Sequence, residues 1–364
     1  MSVGLAILAN MKYKKILVTG GAGFVGSHIC ISLRKYSNVK VIALDNLSRK
    51  GSDLNLKRLK DYSVEFVKGD VRNFHDLDIK QVDLVIECCA DPSVMAGLNS
   101  SSRYTVETNL VGAINCFELA KKYNADVIFI STSRVYPVLA LNNLRYKEES
   151  TRFSLELDQN VSGASNKGIN EEFALSGIRS LYGATKLSAE LLLHEYSNNY
   201  GIKTAIFRSG LIAGPWQMGK SDQGIISFWI GKHIFNKPLS YIGFGGEGKQ
   251  VRDVLDIDDL VDLVLKSVEN VEQFNGKIYN IGGGVSNSIS LAELTASAQK
   301  LTNNKIKIGS DKKTRAGDVR IYISDNSKIE RLVGWKPKRT VNQTLESIYG
   351  WIKDNRNKLD NLFS

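Results

Sequence analysis

A chain of 364 residues, 43% hydrophobic and 24% charged, carries enough apolar material for a sizeable core in one or two domains, which excludes a disordered polymer and a membrane-spanning protein. Its 48 Lys and Arg outnumber 38 Asp and Glu, favouring an anionic partner of nucleotide size, but the basic residues are scattered, so no nucleic-acid partner is expected. Cys30, Cys88, Cys89 and Cys116 lack metal-ligand spacing and read as buried thiols of a reducing compartment, with neither disulfide nor metal ion expected.

The first ten residues, MSVGLAILAN, have no basic n-region or cleavage signal and are too short to span a bilayer. They read as an extension or upstream start ahead of Met11, and a cytoplasmic location without a membrane partner is expected. The stretch 12-KYKKILVTGGAGFVGSHICISL-33 then predicts a buried strand at Ile16–Thr19 and a helix from Ser27 to Leu33. Between them Gly20, Gly23 and Gly26 stand at G-x-x-G-x-x-G spacing. Such a turn brings backbone close to a phosphate, and the helix's free N–H groups and positive end attract the anion. Ordinary strand-to-helix turns also use glycines, so the diphosphate reading needs support downstream.

Apolar runs recur at Val39–Leu44, Val64–Val67, Leu84–Cys89, Val127–Ile130 and Thr204–Phe207, with longer helical or loop segments between them. That alternation predicts right-handed crossovers and an α/β fold with a doubly wound parallel sheet. Ligands in such sheets bind beyond the carboxyl ends of the strands, where Asp45, Asp70, Ala90 and Ser131 to Ser133 fall. Asp45 lies 25 residues past Gly20. A carboxylate there accepts hydrogen bonds from an adenosine ribose and repels a 2′-phosphate, which points to NAD rather than NADP; a helix N-cap or turn Asp is the alternative.

Helices are predicted at Thr105–Tyr123, Leu181–Tyr200, Gly224–Phe235 and about Thr340–Asp354, with a strand at Ile278–Ile281. The polar, poorly periodic segment 137–180 is a long excursion expected to lie over the site. From about Leu211 the alternation weakens and includes the Gly-rich loop 243-GFGGEGKQVRD-253, predicting a smaller lobe over the strand ends. The expected division is a nucleotide-binding domain at 11–210, rejoined by 256–282, and a lobe at 211–255 and 283–364.

Tyr182 and Lys186 stand four apart at the start of an amphipathic helix, which puts them on one face. An ammonium beside a phenol favours the phenolate, so the pair makes a general base. Y-x-x-x-K is a common pattern on its own; its meaning here comes from 129-FISTSRVYP-137, where a strand ends in successive hydroxyls able to hold a sugar oxygen against that base.

Taken together, T-G-G-A-G-F-V-G, Asp45-Asn46-Leu47, Gly69-Asp70, S-T-S-R-V-Y, Y-G-A-T-K and G-K-Q-V-R-D-V resemble the extended short-chain dehydrogenase/reductases that act on nucleotide sugars, over nearly the whole chain from Met11. The resemblance implies a Rossmann-type fold with a C-terminal substrate-binding lobe, NAD as cofactor, and Thr132, Tyr182 and Lys186 as the catalytic set, the lysine also contacting the nicotinamide ribose. It implies that Gly20, Gly23, Phe24, Val25, Asp45, Asn46, Asp70, Val71 and Ala90 line the NAD site, with Asn109 supporting it. On the substrate side it implies Ser133, Arg208, Gln223 and the diphosphate-binding Arg252 and Arg315, guanidinium forks suiting phosphate oxygens. Structural salt bridges are the alternative for these arginines. Leu211 and Ala213 depart from the family's R-x-x-N-x-Y-G-P pattern.

Within that family D-N-L-S-R-K-G, R-Y-K-E-E-S-T-R-F, D-Q-G at 222–224 and the 46 positions between Tyr136 and Tyr182 are most similar to the CDP-paratose 2-epimerases, which make CDP-tyvelose for cell-surface polysaccharides. A CDP-linked sugar is therefore the expected substrate, and a homodimer or homotetramer the expected assembly. Alternatives are a UDP-sugar 4-epimerase on the same scaffold and a non-catalytic NAD-sensing protein. A 4,6-dehydratase fits less well, because Ser133 and Arg134 follow Thr132 where that chemistry uses an acid/base pair.

Overall fold

The computed structural model describes residues 11–98 and 101–363, so the reading of residues 1–10 lies outside the described residues. Seven strands, β1 (Lys15–Thr19), β2 (Lys40–Asp45), β3 (Glu65–Lys68), β4 (Leu84–Glu87), β5 (Asp126–Thr132), β6 (Thr204–Ser209) and β7 (Lys277–Ile281), form one sheet in the order β3-β2-β1-β4-β5-β6-β7. Every neighbouring pair is parallel. Most strands carry apolar residues at successive positions because both faces of the sheet are covered. Ile16, Val18, Val41, Ile86 and Phe207 pack under the helices Phe24–Tyr36 and Ile257–Glu269, while Leu17, Ile42, Val85 and Phe129 pack under Gly112–Tyr123 and Leu181–Tyr200. This is the expected Rossmann-type α/β fold.

Strand order reverses between β1 and β4, and a cleft opens there beyond the carboxyl ends of the strands. Its other wall is a four-stranded sheet of Leu211–Ala213, Val251–Asp256, Ser288–Ser290 and Ile321–Tyr322. Helices Ile225–Ile234, Leu291–Thr302, Val341–Asp354 and Arg356–Phe363 pack on it around Trp229, Leu294, Ile348 and Phe363.

Two expected segments differ. The helix expected at Thr105–Tyr123 is broken into Ser102–Val106, a wide π turn Glu107–Val111, and Gly112–Tyr123. Such a turn inserts an extra residue and re-aims side chains; here it buries Thr108 and Asn109. The excursion 137–180 does not lie over the site as a whole. It forms a short helix, Val138–Asn142, and two small hairpins, and it buries Leu144, Ile169 and Phe173 against Val135, Tyr136 and Tyr322. Backbone bonds from Phe153 N–H to the Lys249 carbonyl (2.9 Å) and from Ile169 N–H to the Ile323 carbonyl (2.8 Å) fasten it to the lobe's flank, so only Val138, Leu141 and Ser180 reach the cleft.

Candidate active site

The cleft encloses about 890 Å³. At one end β1 turns at Gly20, whose φ of +64° is the left-handed conformation that glycine tolerates. A Cβ at Gly26 would stand 2.2 Å from the Gly20 carbonyl oxygen, so the turn closes only without one. Gly23 caps the following helix without a side-chain bond, leaving the helix N-terminus open to an anion. Gly20, Gly23, Phe24 and Val25 all line the cleft, as do Asp45, Asn46, Asp70 and Ala90.

Asp45 accepts from the N–H groups of Ala22 (3.1 Å) and Leu47 (2.8 Å), which aims its carboxylate at the turn; burial raises it above the ordinary range. Asp70 accepts from Arg72 (2.6 Å) and from Asn46 Nδ2 (3.0 Å), and the Arg72 hydrogen bond holds it down to about 2. A tight glycine turn, an open helix N-terminus and a strand-end carboxylate suit the diphosphate and ribose of a dinucleotide. Two expected cofactor residues lie behind the wall. Val71 is buried against Gly112, and Asn109 accepts from Asp91 N–H (2.6 Å) while donating to Thr185 Oγ1 (3.2 Å).

Thr132 ends β5 and Tyr182 begins the helix Leu181–Tyr200; both line the cleft, as does Ser133. The helix comes this close to the chain after β5 because position 183 is glycine: a Cβ there would lie 2.0 Å from the Arg134 carbonyl oxygen. Ser180 caps this helix by accepting from Gly183 N–H (3.2 Å), which fixes the turn that presents Tyr182.

Lys186 does not line the cleft. It is 1% exposed, its Nζ donating to Glu87 Oε2 (3.1 Å) and lying 3.9 Å from the centre of the Phe129 ring. Glu87, also 1% exposed, accepts at Oε1 from Cys89 N–H (2.8 Å); burial raises its carboxyl and the Lys186 ammonium opposes the rise.

Arg252 and Arg315 also line the cleft, joined by Arg134. Arg252 donates to the carbonyls of Val251 and Val319 (2.7 Å each), and Arg134 to the carbonyl of Gly317 (3.1 Å). Among the described residues none of the three is in an ion pair. Burial, and then the like charge of Arg134, push the Arg252 guanidinium down to about 9. A bound anion relieves both effects. Gln223 lines the cleft with its Oε1 engaged by Arg49 (2.8 Å), which also donates to the Met218 carbonyl.

Arg208, expected at the substrate, lies elsewhere. It is buried in β6, and its guanidinium pairs with Glu190 (2.7 Å) and donates to the Tyr136 hydroxyl (3.2 Å), so it is absent from the cleft wall. A cation on a central strand stays charged only by finding a carboxylate at once, and the neighbouring helix supplies it.

Three residues of the site escaped sequence reasoning: Arg49, Arg134 and Glu87. The available signals were a guanidinium in the loop after β2, one directly after the strand-end hydroxyls, and an acid closing the apolar run L-V-I-E.

Residues 16–282 match the NAD dependent epimerase/dehydratase family. The chain belongs to that family. As a member it is an enzyme, and NAD is its cofactor. A CDP-paratose 2-epimerase of Salmonella typhi is 31% identical over 348 residues, 93% of this chain and 98% of that protein. A UDP-glucuronic acid 4-epimerase from Bacillus cereus, solved with UDP-glucuronic acid and NAD, is 27% identical with a TM-score of 0.77, covering 93% of this chain and 99% of the other. The UDP-glucose 4-epimerase of Thermotoga maritima, solved with UDP-glucose, is 25% identical with a TM-score of 0.74 over 94% and 99%. Among the described residues no helix is long and apolar enough to cross a membrane, and no group of three or more His, Cys, Asp or Glu is placed to hold a metal ion.

Proposed function

We propose that this family member inverts C2 of a nucleotide-diphosphate sugar, converting CDP-paratose to CDP-tyvelose. The observation that carries the reading is the 31% identity to a CDP-paratose 2-epimerase along 93% of the chain. A cleft lined by Thr132, Tyr182, a dinucleotide turn and arginines outside any ion pair supports it.

A sugar C–H beside an ordinary alcohol is too weakly acidic for direct proton abstraction, so inversion needs transient oxidation to a ketone. NAD, when bound, would supply the hydride acceptor for that oxidation and the hydride donor for the reduction that follows. Tyr182 takes the C2 hydroxyl proton during oxidation and gives it back on reduction, with Thr132 holding the same oxygen. Lys186 backs the phenol from the next turn of its helix. Gly20, Gly23, Phe24, Val25, Asp45, Asn46, Asp70 and Ala90 hold the cofactor; Arg252 and Arg315 hold the sugar's diphosphate, with Ser133 and Gln223 beside it. The lobe excludes water from the ketone. Exposed Val111, Leu191 and Tyr200 on neighbouring helices support a homodimer or homotetramer, and the free cysteines support a cytoplasmic setting.

A proton NMR time course with CDP-paratose in deuterated water, without added cofactor, tests the reading. CDP-tyvelose with hydrogen retained at C2 is expected. Deuterium at C2 overturns hydride return, and no conversion by folded, NAD-loaded protein overturns the paratose assignment. A UDP-sugar 4-epimerase is the second reading, favoured by the TM-score of 0.77 to the UDP-glucuronic acid enzyme; UDP-glucuronic acid in the same assay separates the two.

A further inference from the structure

The mechanism above has no use for Glu87, yet this carboxylate is 1% exposed, closes β4 on the strand next to β1, and touches the lysine of the catalytic set at 3.1 Å. The residues that follow it, Cys88, Cys89 and Ala90, line the cleft. Two features hold the carboxylate in place: Cys89 N–H donates to its Oε1 (2.8 Å), and the Lys186 ammonium, resting on the Phe129 ring, donates to Oε2. Burying both ions costs desolvation of each, so the pair is a poor device for stability alone.

We propose that Glu87 is a positioning residue that acts through Lys186, cancelling its charge so that the bound cofactor is held about equally well oxidised and reduced. The oxidised nicotinamide ring is a cation and the reduced ring is neutral. An uncompensated ammonium buried at the floor of the site repels the first and is indifferent to the second. An enzyme that must give back every hydride it accepts is poorly served by a site that traps the reduced form. A carboxylate in contact with the ammonium leaves a dipole in place of a charge, and its field falls off much faster. This balance depends on NAD as cofactor and on the Lys186–Glu87 contact, whichever sugar is the substrate.

The test reads binding rather than turnover. NAD-loaded protein is equilibrated with defined mixtures of NAD+ and NADH, freed of unbound cofactor, and the reduced share of what stays bound is measured. Glu87→Gln keeps the shape and an acceptor for Lys186 but removes the negative charge, and is expected to shift the preference toward NADH about tenfold. Lys186→Met leaves the carboxylate alone and is expected to shift it toward NAD+. The double variant is expected to return close to wild type, and Glu87→Asp to stay there. Should Glu87→Gln fail to fold, comparison of Lys186→Met with the double variant carries the same test, because it removes the same charge. A preference unchanged within about twofold in that comparison, or a shift in the same direction for both single variants, overturns the proposal.

Discussion

Replacing Arg208 by Met separates a structural role from a substrate contact. The guanidinium is 3% exposed and its partner Glu190 is 1% exposed, with two further contacts at 3.1 Å beside the 2.7 Å one. Glu190 also accepts from the Ser131 hydroxyl, and Arg208 reaches the Tyr136 hydroxyl, which donates to Asn280 Oδ1 (2.8 Å). The network therefore ties β5, β6 and β7 to the Tyr182 helix just beneath Thr132. Removing one member of a buried pair costs about 3 to 5 kcal/mol, because the other ion loses its partner in a place water does not reach. With a urea slope of about 3 kcal/mol per molar, the midpoint of unfolding falls by roughly 1 M or more. Glu190→Gln is expected to destabilise as well, and the double variant Arg208→Met/Glu190→Gln, which buries no charge, to recover part of the loss. Nucleoside diphosphate affinity, measured by calorimetry below the transition, is expected to stay at the wild-type value. Undiminished stability with weakened diphosphate binding would refute this reasoning and return Arg208 to the substrate.

Tyr182→Phe is expected to lower turnover at least about 100-fold while NAD and nucleotide binding persist; full activity removes Tyr182 from the chemistry. Arg252→Met is expected to weaken a nucleoside diphosphate by about tenfold or more and a nucleoside monophosphate much less, a comparison calorimetry makes directly. Asp45→Ala is expected to loosen NAD and to erode discrimination against NADP, read as the ratio of the two dissociation constants. Asp253 gives a pH signature. Burial raises its carboxyl to about 6 from 3.8, so between those values the folded chain keeps a proton that the unfolded chain has released, and stability falls as pH rises through that window. Urea midpoints across that range should show the fall flattened in Asp253→Asn; an identical slope assigns the pH dependence to other groups.

Short-range features were legible in the chain itself. Strands in a sheet covered on both faces must be apolar at successive positions, so Ile16–Thr19 and Val127–Ile130 announced themselves within a residue or two of their observed ends. The glycine turn, Asp45 at the end of β2, and Tyr182 in the first turn of a capped helix are likewise local, because the backbone conformations they need depend on near neighbours. The π turn at Glu107–Val111 was not legible, since its residues read as ordinary helix until packing and the Asn109 bonds to Asp91 re-aim them.

What only the tertiary structure decided is which charges meet. Lys186 and Glu87 are 99 positions apart, and Arg49 and Gln223 are 174 apart. Nothing in either local pattern distinguishes a lysine beside a phenol from one drawn to a carboxylate on another strand. Arg208 looked like a ligand contact in a familiar motif and became part of the floor, because β6 lies inside the sheet and its polar side chain had to be satisfied there. The sequence by itself determined the elements, their order and the chemistry available at the strand ends. Pairing of buried ions depends on distances between remote segments, since desolvation forces each charge to take the nearest opposite one, and those distances exist only once the sheet has formed.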